Sequence, residues 1–426
     1  MIDLSDLGLT SNAPTGDEAA ALTVPAPPDD PYAPGPLTAG TAVSRALFEV
    51  WSGTPFVLIG SPPGAGKTTA VCDIVHRLAH ATQMRVVIVC PTRRACEDMA
   101  KRLAAKTGPG VVYLYGTAFA RRDLTKFDVA TGEFTYVLDP KRESVRVQTV
   151  ASAAIRPPEC DLLVFDEAYQ STFGDALGAA ERAASVLMVG DPGQIGPVIT
   201  LDEALFQGRK VSPVMRAPEG FQAHLPTSRQ VILSLPSTYR LGPVTTAAIQ
   251  DLYPFSFGSN RPGTSVDGFD EVEASIQPDP DSVSDPALIG AVTQRVKDLA
   301  WKTVKSPAGD HTLRPSEIAV VASRNEQTAA LEARLSAMRL SAVTVGTADR
   351  LQGGQWLAVV ALDPITGADV ASAHALDLGR LCVMASRHIA HLTWVTSQSW
   401  RNVLAASIDS KTDLAKHIAV REAFGC

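Results

Sequence analysis

From residue 38 onward, short apolar runs of strand length alternate with stretches whose apolar residues recur at three- and four-residue spacing. The runs predict strands over 56–59, 85–90, 111–115, 145–149, 162–165 and 186–189, with helices over 70–81 and 94–106 between them. Apolar runs without polar alternation are buried on both faces, so the arrangement predicts a mostly parallel sheet covered by helices on either side. A second set repeats this logic, with strands over 230–235, 271–276, 318–322, 342–345, 357–362 and 392–396. Its helices are expected over 244–252, 286–304, 326–338 and 376–386. The fold class is therefore α/β, with two stacked lobes. Two stretches break the pattern: 255–285, rich in Gly, Pro, Ser and Asp, and 121–141 both read as surface loop.

Residues 1–36 lack the pattern altogether. They are Pro-rich, hold Asp3, Asp6, Asp17, Glu18, Asp29 and Asp30, and carry no Lys or Arg, which predicts a mostly disordered acidic tail. A short amphipathic segment over 2–9 is the part of that tail suited to docking on a protein partner. A length of 426 residues suits two domains of about 200 residues each, placed here at 37–232 and 233–426.

Charge changes the picture little. The net charge of −7 becomes −1 once the six acids of the tail are set aside, so it neither supports nor excludes a nucleic-acid partner. Between Arg93 and Arg146 stand eleven Lys and Arg against seven Asp and Glu, a modest excess suited either to a phosphate backbone or to a solvated mixed face. No run approaches the roughly 18 apolar residues of a membrane span, so no membrane partner is expected. The six cysteines form no Cys-x-x-Cys pair and have no His at metal spacing, which predicts buried, reduced thiols in a cytoplasmic protein.

The candidate chemistry begins where the first strand ends. Ser61-Pro62-Pro63-Gly64-Ala65-Gly66-Lys67-Thr68 follows an apolar run and precedes a helical pattern, the order a P-loop requires. Backbone N–H groups across Pro63, Gly64, Ala65, Gly66, Lys67, Thr68 and Thr69, with the positive end of the next helix, can cradle phosphates; Pro63 itself supplies no N–H. Lys67 adds a point charge and the Thr68 hydroxyl can ligate Mg²⁺. Ser61 stands where the motif expects glycine, with Gly60 one residue early.

After the run 162–165 comes Asp166-Glu167-Ala168-Tyr169-Gln170, placing carboxylates at a strand end where Asp166 can hold Mg²⁺ and Glu167 can polarise water. The run 186–189 ends in Gly190-Asp191-Pro192-Gly193-Gln194, where the Gln194 amide can sense a γ-phosphate. In the second half Thr238-Tyr239-Arg240-Leu241-Gly242-Pro243 and Ala385-Ser386-Arg387-His388 each present a guanidinium suited to the charge of phosphoryl transfer.

In this order the motifs, together with the Gln352-Gly353 pair, resemble superfamily 1 helicases from about residue 56 to 395. The Gln-Ile-Gly-Pro and Tyr-Arg-Leu-Gly-Pro forms are most similar to the up-frameshift-like branch, and the Ser-Arg-His ending also to viral members. The resemblance implies two tandem RecA-like P-loop NTPase lobes with minimal accessory insertions, ATP and Mg²⁺ as cofactors, and single-stranded DNA or RNA as partner. It implies that Lys67, Glu167, Gln194, Arg240 and Arg387 serve hydrolysis, with Thr68 and Asp166 on the metal. Pro91, Thr92, Thr149 and Thr347 match strand-contacting positions, although each suits a turn or helix cap equally well. Gln355 replaces the usual glutamate beside the nucleotide, Leu357 replaces an aspartate, and no glutamine stands between Leu37 and Ala46 to read adenine. The implied activity is ATP-driven helicase or translocase work, 5′ to 3′, as ATP closes a cleft between the lobes. The alternative is a nucleotide-switched loader that recruits a protein partner through the acidic tail.

Overall fold

The computed structural model describes residues 31–108, 111–118, 121–127, 134–137, 145–199, 201–206, 208–407 and 411–426. The chain divides into two compact units. The first comprises the described residues up to Ser61, with Gly66–Asp191 and Gly196–Leu235; the second comprises Pro62–Ala65, Pro192–Ile195 and Pro236–Cys426. The boundary falls three residues beyond the expected 232, because the strand at 230 belongs to the first sheet, and two short pieces of the first half group with the second unit.

In the first unit the order is α1 (Ala42–Trp51), β1 (Phe56–Gly60), α2 (Lys67–Ala81), β2 (Val86–Cys90), α3 (Arg93–Thr107), β3 (Val112–Ala118), β4 (Arg121–Phe127), β5 (Phe134–Val137) and β6 (Val145–Thr149). There follow α4 (Val150–Ile155), β7 (Cys160–Asp166), α5 (Phe173–Ala180), β8 (Ala183–Gly190), α6 (Ala217–His224) and β9 (Gln230–Ser234). The sheet runs β5-β4-β3-β6-β2-β7-β8-β1-β9, parallel except where β4 pairs with β3 and β5. β1 and β2 are buried along their whole length, as their unbroken apolar runs require. Phe56, Leu58, Leu163, Phe165 and Met188 pack against Phe173 and Phe221 from α5 and α6 on one face.

Within 121–141 the loop expectation is corrected at 121–127 and 134–137, which pair as the antiparallel strands β4 and β5 at the sheet edge, while 128–133 and 138–141 lie outside the described residues. An edge hairpin is held by backbone hydrogen bonds and needs no apolar run, so periodicity did not reveal it. Of the expected tail, residues 1–30 lie outside the described residues. Its last part docks on the unit: His76 donates to the Tyr32 carbonyl at 2.7 Å and Arg77 to that of Gly35 at 2.8 Å.

The second unit contains β10 (Ser237–Thr238), α7 (Pro243–Ile249), β11 (Gly258–Ser259), β12 (Ser265–Val266), β13 (Val272–Gln277), α8 (Pro286–Leu299), β14 (Thr303–Lys305), β15 (His311–Thr312), β16 (Ile318–Ala322) and α9 (Asn325–Ala337). It continues with β17 (Thr344–Thr347), α10 (Ala348–Leu351), β18 (Trp356–Leu362), α11 (Leu378–Ala385), β19 (His388–Ser397), α12 (Trp400–Ala405) and α13 (Lys411–Ala423). The main sheet, β13-β19-β18-β16-β17, is parallel throughout. α8 stops at Leu299 rather than at the expected 304: Trp301 takes a left-handed φ of 71°, and Thr303–Lys305 pairs as a strand. Among the described residues no helix is long and apolar enough to cross a membrane. All six cysteines are free thiols, five of them buried, and burial pushes Cys72 and Cys160 up to about 12.

Candidate functional site

In the first unit the geometry follows from strand order. β7, β8 and β1 are adjacent and parallel, so the residues leaving their carboxyl ends meet. Lys67 opens α2 just after β1, Glu167 follows β7 and Asp191 follows β8. The Lys67 ammonium, only 10% exposed, lies 3.6 Å from Glu167 Oε1 and 3.8 Å from Asp191 Oδ2. Asp191 carried no role in the sequence reading; its place at a strand end beside the P-loop strand was the available signal. Glu167 adopts a left-handed backbone at φ 54° and ψ 44°. Such a conformation costs a non-glycine residue roughly 1–3 kcal/mol and persists where surrounding structure imposes it, commonly at functional sites.

Asp166 ends β7 buried, and its carboxyl is pushed up to about 7, first by burial and then by the neighbouring charge of Glu167, with Lys67 opposing. Its Oδ1 has no hydrogen-bond partner. An unpartnered, costly carboxylate oxygen fits a hard cation, and the Thr68 hydroxyl in the first turn of α2 could supply a second oxygen, so these residues suit Mg²⁺. The N-cap of α2 is Gly66, whose lack of a side-chain cap leaves the first N–H groups of a 15-residue helix available to phosphate oxygens.

The remaining ATP-site residues, Pro63 to Ala65, Gln194, Arg240, Gln355 and Arg387, sit in the second unit. Thr238 Oγ1 donates to the Pro63 carbonyl at 2.6 Å, and the Tyr239 N–H donates to that of Gly64 at 3.0 Å. Gly64 has φ 75°, and a Cβ there would stand 2.3 Å from the Cβ of Arg240. Gly64→Ala therefore combines backbone strain with a clash; a loss of roughly 1–3 kcal/mol translates to a rise of about five- to 150-fold in the Kd of a fluorescent ATP analogue, measured by equilibrium titration.

Arg240 donates through Nε to Gln355 Oε1 at 3.0 Å and through Nη1 to the Ser386 carbonyl at 3.4 Å. Gln194 is buried, its amide oxygen accepting from Gln352 at 3.4 Å. Arg387 is 1% exposed, and donates to the carbonyls of Val383 and Gly354 and to the Ser386 hydroxyl, at 3.1, 3.4 and 2.9 Å. Gln355 thus meets an arginine, and Arg387 is sealed among oxygen acceptors.

Of the proposed strand contacts, Pro91 and Thr92 follow β2, and Thr149 ends the neighbouring β6 opposite Cys90. Thr347 ends β17. All three threonines are N-caps, accepting from Ala95, Ser152 and Arg350 N–H groups at 3.2, 3.2 and 3.4 Å. A cap uses the hydroxyl as acceptor and leaves its hydrogen to donate. Thr347 also lines a cavity of about 410 Å³ with Ser323, Arg324, Asn325, Asp349 and His374. This cavity opens at the carboxyl ends of β16, β17 and β18. Sequence reasoning missed Ser323-Arg324-Asn325, although a polar triplet between a buried strand and a helix was the visible signal.

Residues 44–200 match the AAA_19 family model, described as an AAA domain. The bovine (Bos taurus) DNA replication ATP-dependent helicase/nuclease DNA2 is 22% identical over 351 residues, covering 72% of this chain and 32% of its own length. The Saccharomyces cerevisiae protein of the same name is 24% identical over 197 residues, covering 43% of this chain and 13% of its own. The chain thus spans a third or less of these relatives. An Arterivirus nonstructural protein 10 helicase solved with DNA aligns with TM-score 0.46 and 15% identity, over 85% of this chain and 65% of its own. The AAA-domain match over residues 44–200 and the two helicase/nuclease relatives agree with the superfamily 1 helicase resemblance of the ordered motifs.

Proposed function

We propose that the chain hydrolyses ATP to move along a single strand of nucleic acid, in the 5′ to 3′ direction implied by its likeness to the up-frameshift-like branch. The observation that carries this reading is the convergence of Lys67, Glu167 and Asp191 at the ends of three adjacent strands, beside the unpartnered oxygen of Asp166. Mg²⁺ held by Thr68 and Asp166 would neutralise phosphate charge. Lys67 binds the phosphates, Glu167, a quarter exposed, orients and deprotonates the attacking water, and Gln194 senses the terminal phosphate. Arg240 and Arg387 supply guanidinium charge to the transferring group; Arg387 does so by exchanging its carbonyl partners for phosphate oxygens. The buried thiols fit a reducing cytoplasm.

In the first unit Pro91, Thr92 and Thr149 are the proposed contacts for the strand; in the second, Thr347 and the Ser323-Arg324-Asn325 cavity are. Short hydroxyl and amide groups at strand ends suit phosphate oxygens, and a single guanidinium adds charge without base preference. Steady-state ATPase with no polymer, with single-stranded DNA and with single-stranded RNA tests the proposal. One polymer is expected to stimulate turnover roughly tenfold or more, and Arg324→Ala to raise the half-saturating polymer concentration several-fold while sparing unstimulated turnover. A flat response to both polymers would overturn the motor reading in favour of a switch driven by a protein partner.

A further inference from the structure

The loop that carries Arg240 and the strand that begins after Arg387 are far apart in sequence, yet one carboxylate is bonded to both neighbourhoods. Glu271 immediately precedes β13, and its carbonyl accepts the Leu392 N–H of β19 at 2.8 Å. Its side chain turns to the start of α7. There Oε1 accepts from the Thr245 N–H at 2.9 Å and the Thr245 hydroxyl at 2.7 Å, and Oε2 accepts from the Val244 N–H at 3.2 Å. The N-cap of α7 is Gly242, which has no side chain to cap with, so Glu271 does so from another element. The approach is close: a Cβ on Gly242 would lie 2.1 Å from Glu271 Oε2.

From Thr245 the network continues to β19. Because the Thr245 hydroxyl spends its one hydrogen on Glu271, it can only accept from His388, whose Nε2 stands 2.9 Å away. His388 therefore carries its proton on Nε2. Its Nδ1 is buried without a partner, as fits a neutral ring, and burial, reinforced by nearby arginines, holds the group well below the usual histidine range. A second arm runs through Arg261, which lies 3.8 Å from Glu271 Oε2 and donates to the Ile389 carbonyl. Glu271 thus grips the helix that starts three residues after Arg240 and, through Thr245 and Arg261, the strand that starts one residue after Arg387.

We propose that Glu271 is a positioning residue for hydrolysis, holding the segments that bear Arg240 and Arg387 in fixed register through Thr245, His388 and Arg261. The bond from Arg240 to the Ser386 carbonyl closes the loop between them. Loss of the register leaves ATP binding to the P-loop intact and misplaces both guanidinium groups when charge develops on the transferring phosphoryl. The inference rests on the reading that these two arginines act in ATP hydrolysis.

The test compares full-length Thr245→Val, Thr245→Ser and Glu271→Gln with Arg240→Ala and Arg387→Ala, in polymer-stimulated ATPase and in binding of a fluorescent ATP analogue. Thr245→Val removes the hydroxyl at nearly constant volume. It is expected to lower kcat about tenfold with KM for ATP and analogue affinity within about twofold of wild type, and Thr245→Ser to restore kcat. If neither arginine variant lowers kcat, the reading of the arginines fails. If the arginine variants lower kcat and Thr245→Val does not, the positioning role is overturned. A fall in kcat that Thr245→Ser does not reverse, or one matched by weaker analogue binding, also overturns it, because packing alone would do that. If Thr245→Val does not fold, Glu271→Gln decides by the same division between kcat and KM.

Discussion

Replacing Glu167 by Gln is expected to lower ATP turnover at least ~100-fold while the variant still binds nucleotide, because removal of a general base typically costs 10²–10⁴ in rate. The side chain sits 3.6 Å from Lys67 at the end of β7, and its backbone is held in a left-handed conformation. Gln preserves shape and one acceptor but cannot take a proton from water. Lys67→Ala is expected to abolish turnover by a different route, since the charge that meets the phosphates is removed and analogue affinity falls with it. Steady-state ATPase beside equilibrium titration of a fluorescent analogue separates the two. A Glu167→Gln variant that retains near-normal turnover would remove the base assignment.

Asp363→Ala is expected to cause the largest loss of stability of any single substitution in the second unit. Asp363 follows β18 and Arg421 lies in α13, and both side chains are 0% exposed. Arg421 donates Nη2 to Asp363 Oδ1 at 2.6 Å and Nε to Oδ2 at 2.8 Å, while Thr396 adds a bond to Oδ2 at 2.8 Å. Nη1 of Arg421 donates to the His417 carbonyl at 2.9 Å, and His417 Nε2 donates to the Leu376 carbonyl at 3.0 Å. Removing one partner of a buried pair leaves the other charge uncompensated and costs about 3–5 kcal/mol. For a unit of this size that corresponds to a fall in Tm of roughly 6–20 °C, read by differential scanning calorimetry.

The same pair has a pH signature. Burial alone would raise the Asp363 carboxyl, but the charge and hydrogen bonds of Arg421, with the bond from Thr396, outweigh it and hold the group below its ordinary range. A carboxylate depressed in the folded state contributes stability that is complete above its unfolded pKa and is lost as pH falls through its folded one. The contribution is therefore present at neutral pH and disappears in strong acid. Asp363→Asn should show a shallower loss of Tm on acidification than the wild type; equal slopes would assign the acid sensitivity elsewhere.

Local pattern revealed most of the scaffold. The buried strands at 56–60 and 318–322 fall where continuous apolar runs place them, because a strand covered on both faces has no room for polar alternation. The P-loop and the carboxylates after β7 were legible for a related reason: phosphate and metal chemistry demands particular residue types next to a strand end. What lay beyond local pattern was held by backbone bonds or by distant partners. The strands at 121–127 and 134–137 are joined by backbone pairing at the sheet edge, α8 ends early through one left-handed tryptophan, and the capping roles of Thr92, Thr149 and Thr347 depend on helices whose first residues carry no other mark.

By itself the sequence determined the α/β class and set Lys67, Thr68, Asp166 and Glu167 beside strand ends as candidates for nucleotide chemistry, since both are set by near neighbours. Only the tertiary structure decided that Asp191 faces Lys67, that Arg387 is sealed among carbonyls, that Arg421 neutralises Asp363, and that Glu271 reaches Thr245. The reason is physical: strand order and helix docking bring together side chains separated by tens or hundreds of residues, and the cost of burying a charge or leaving a helix end uncapped is met by whichever partner the fold delivers.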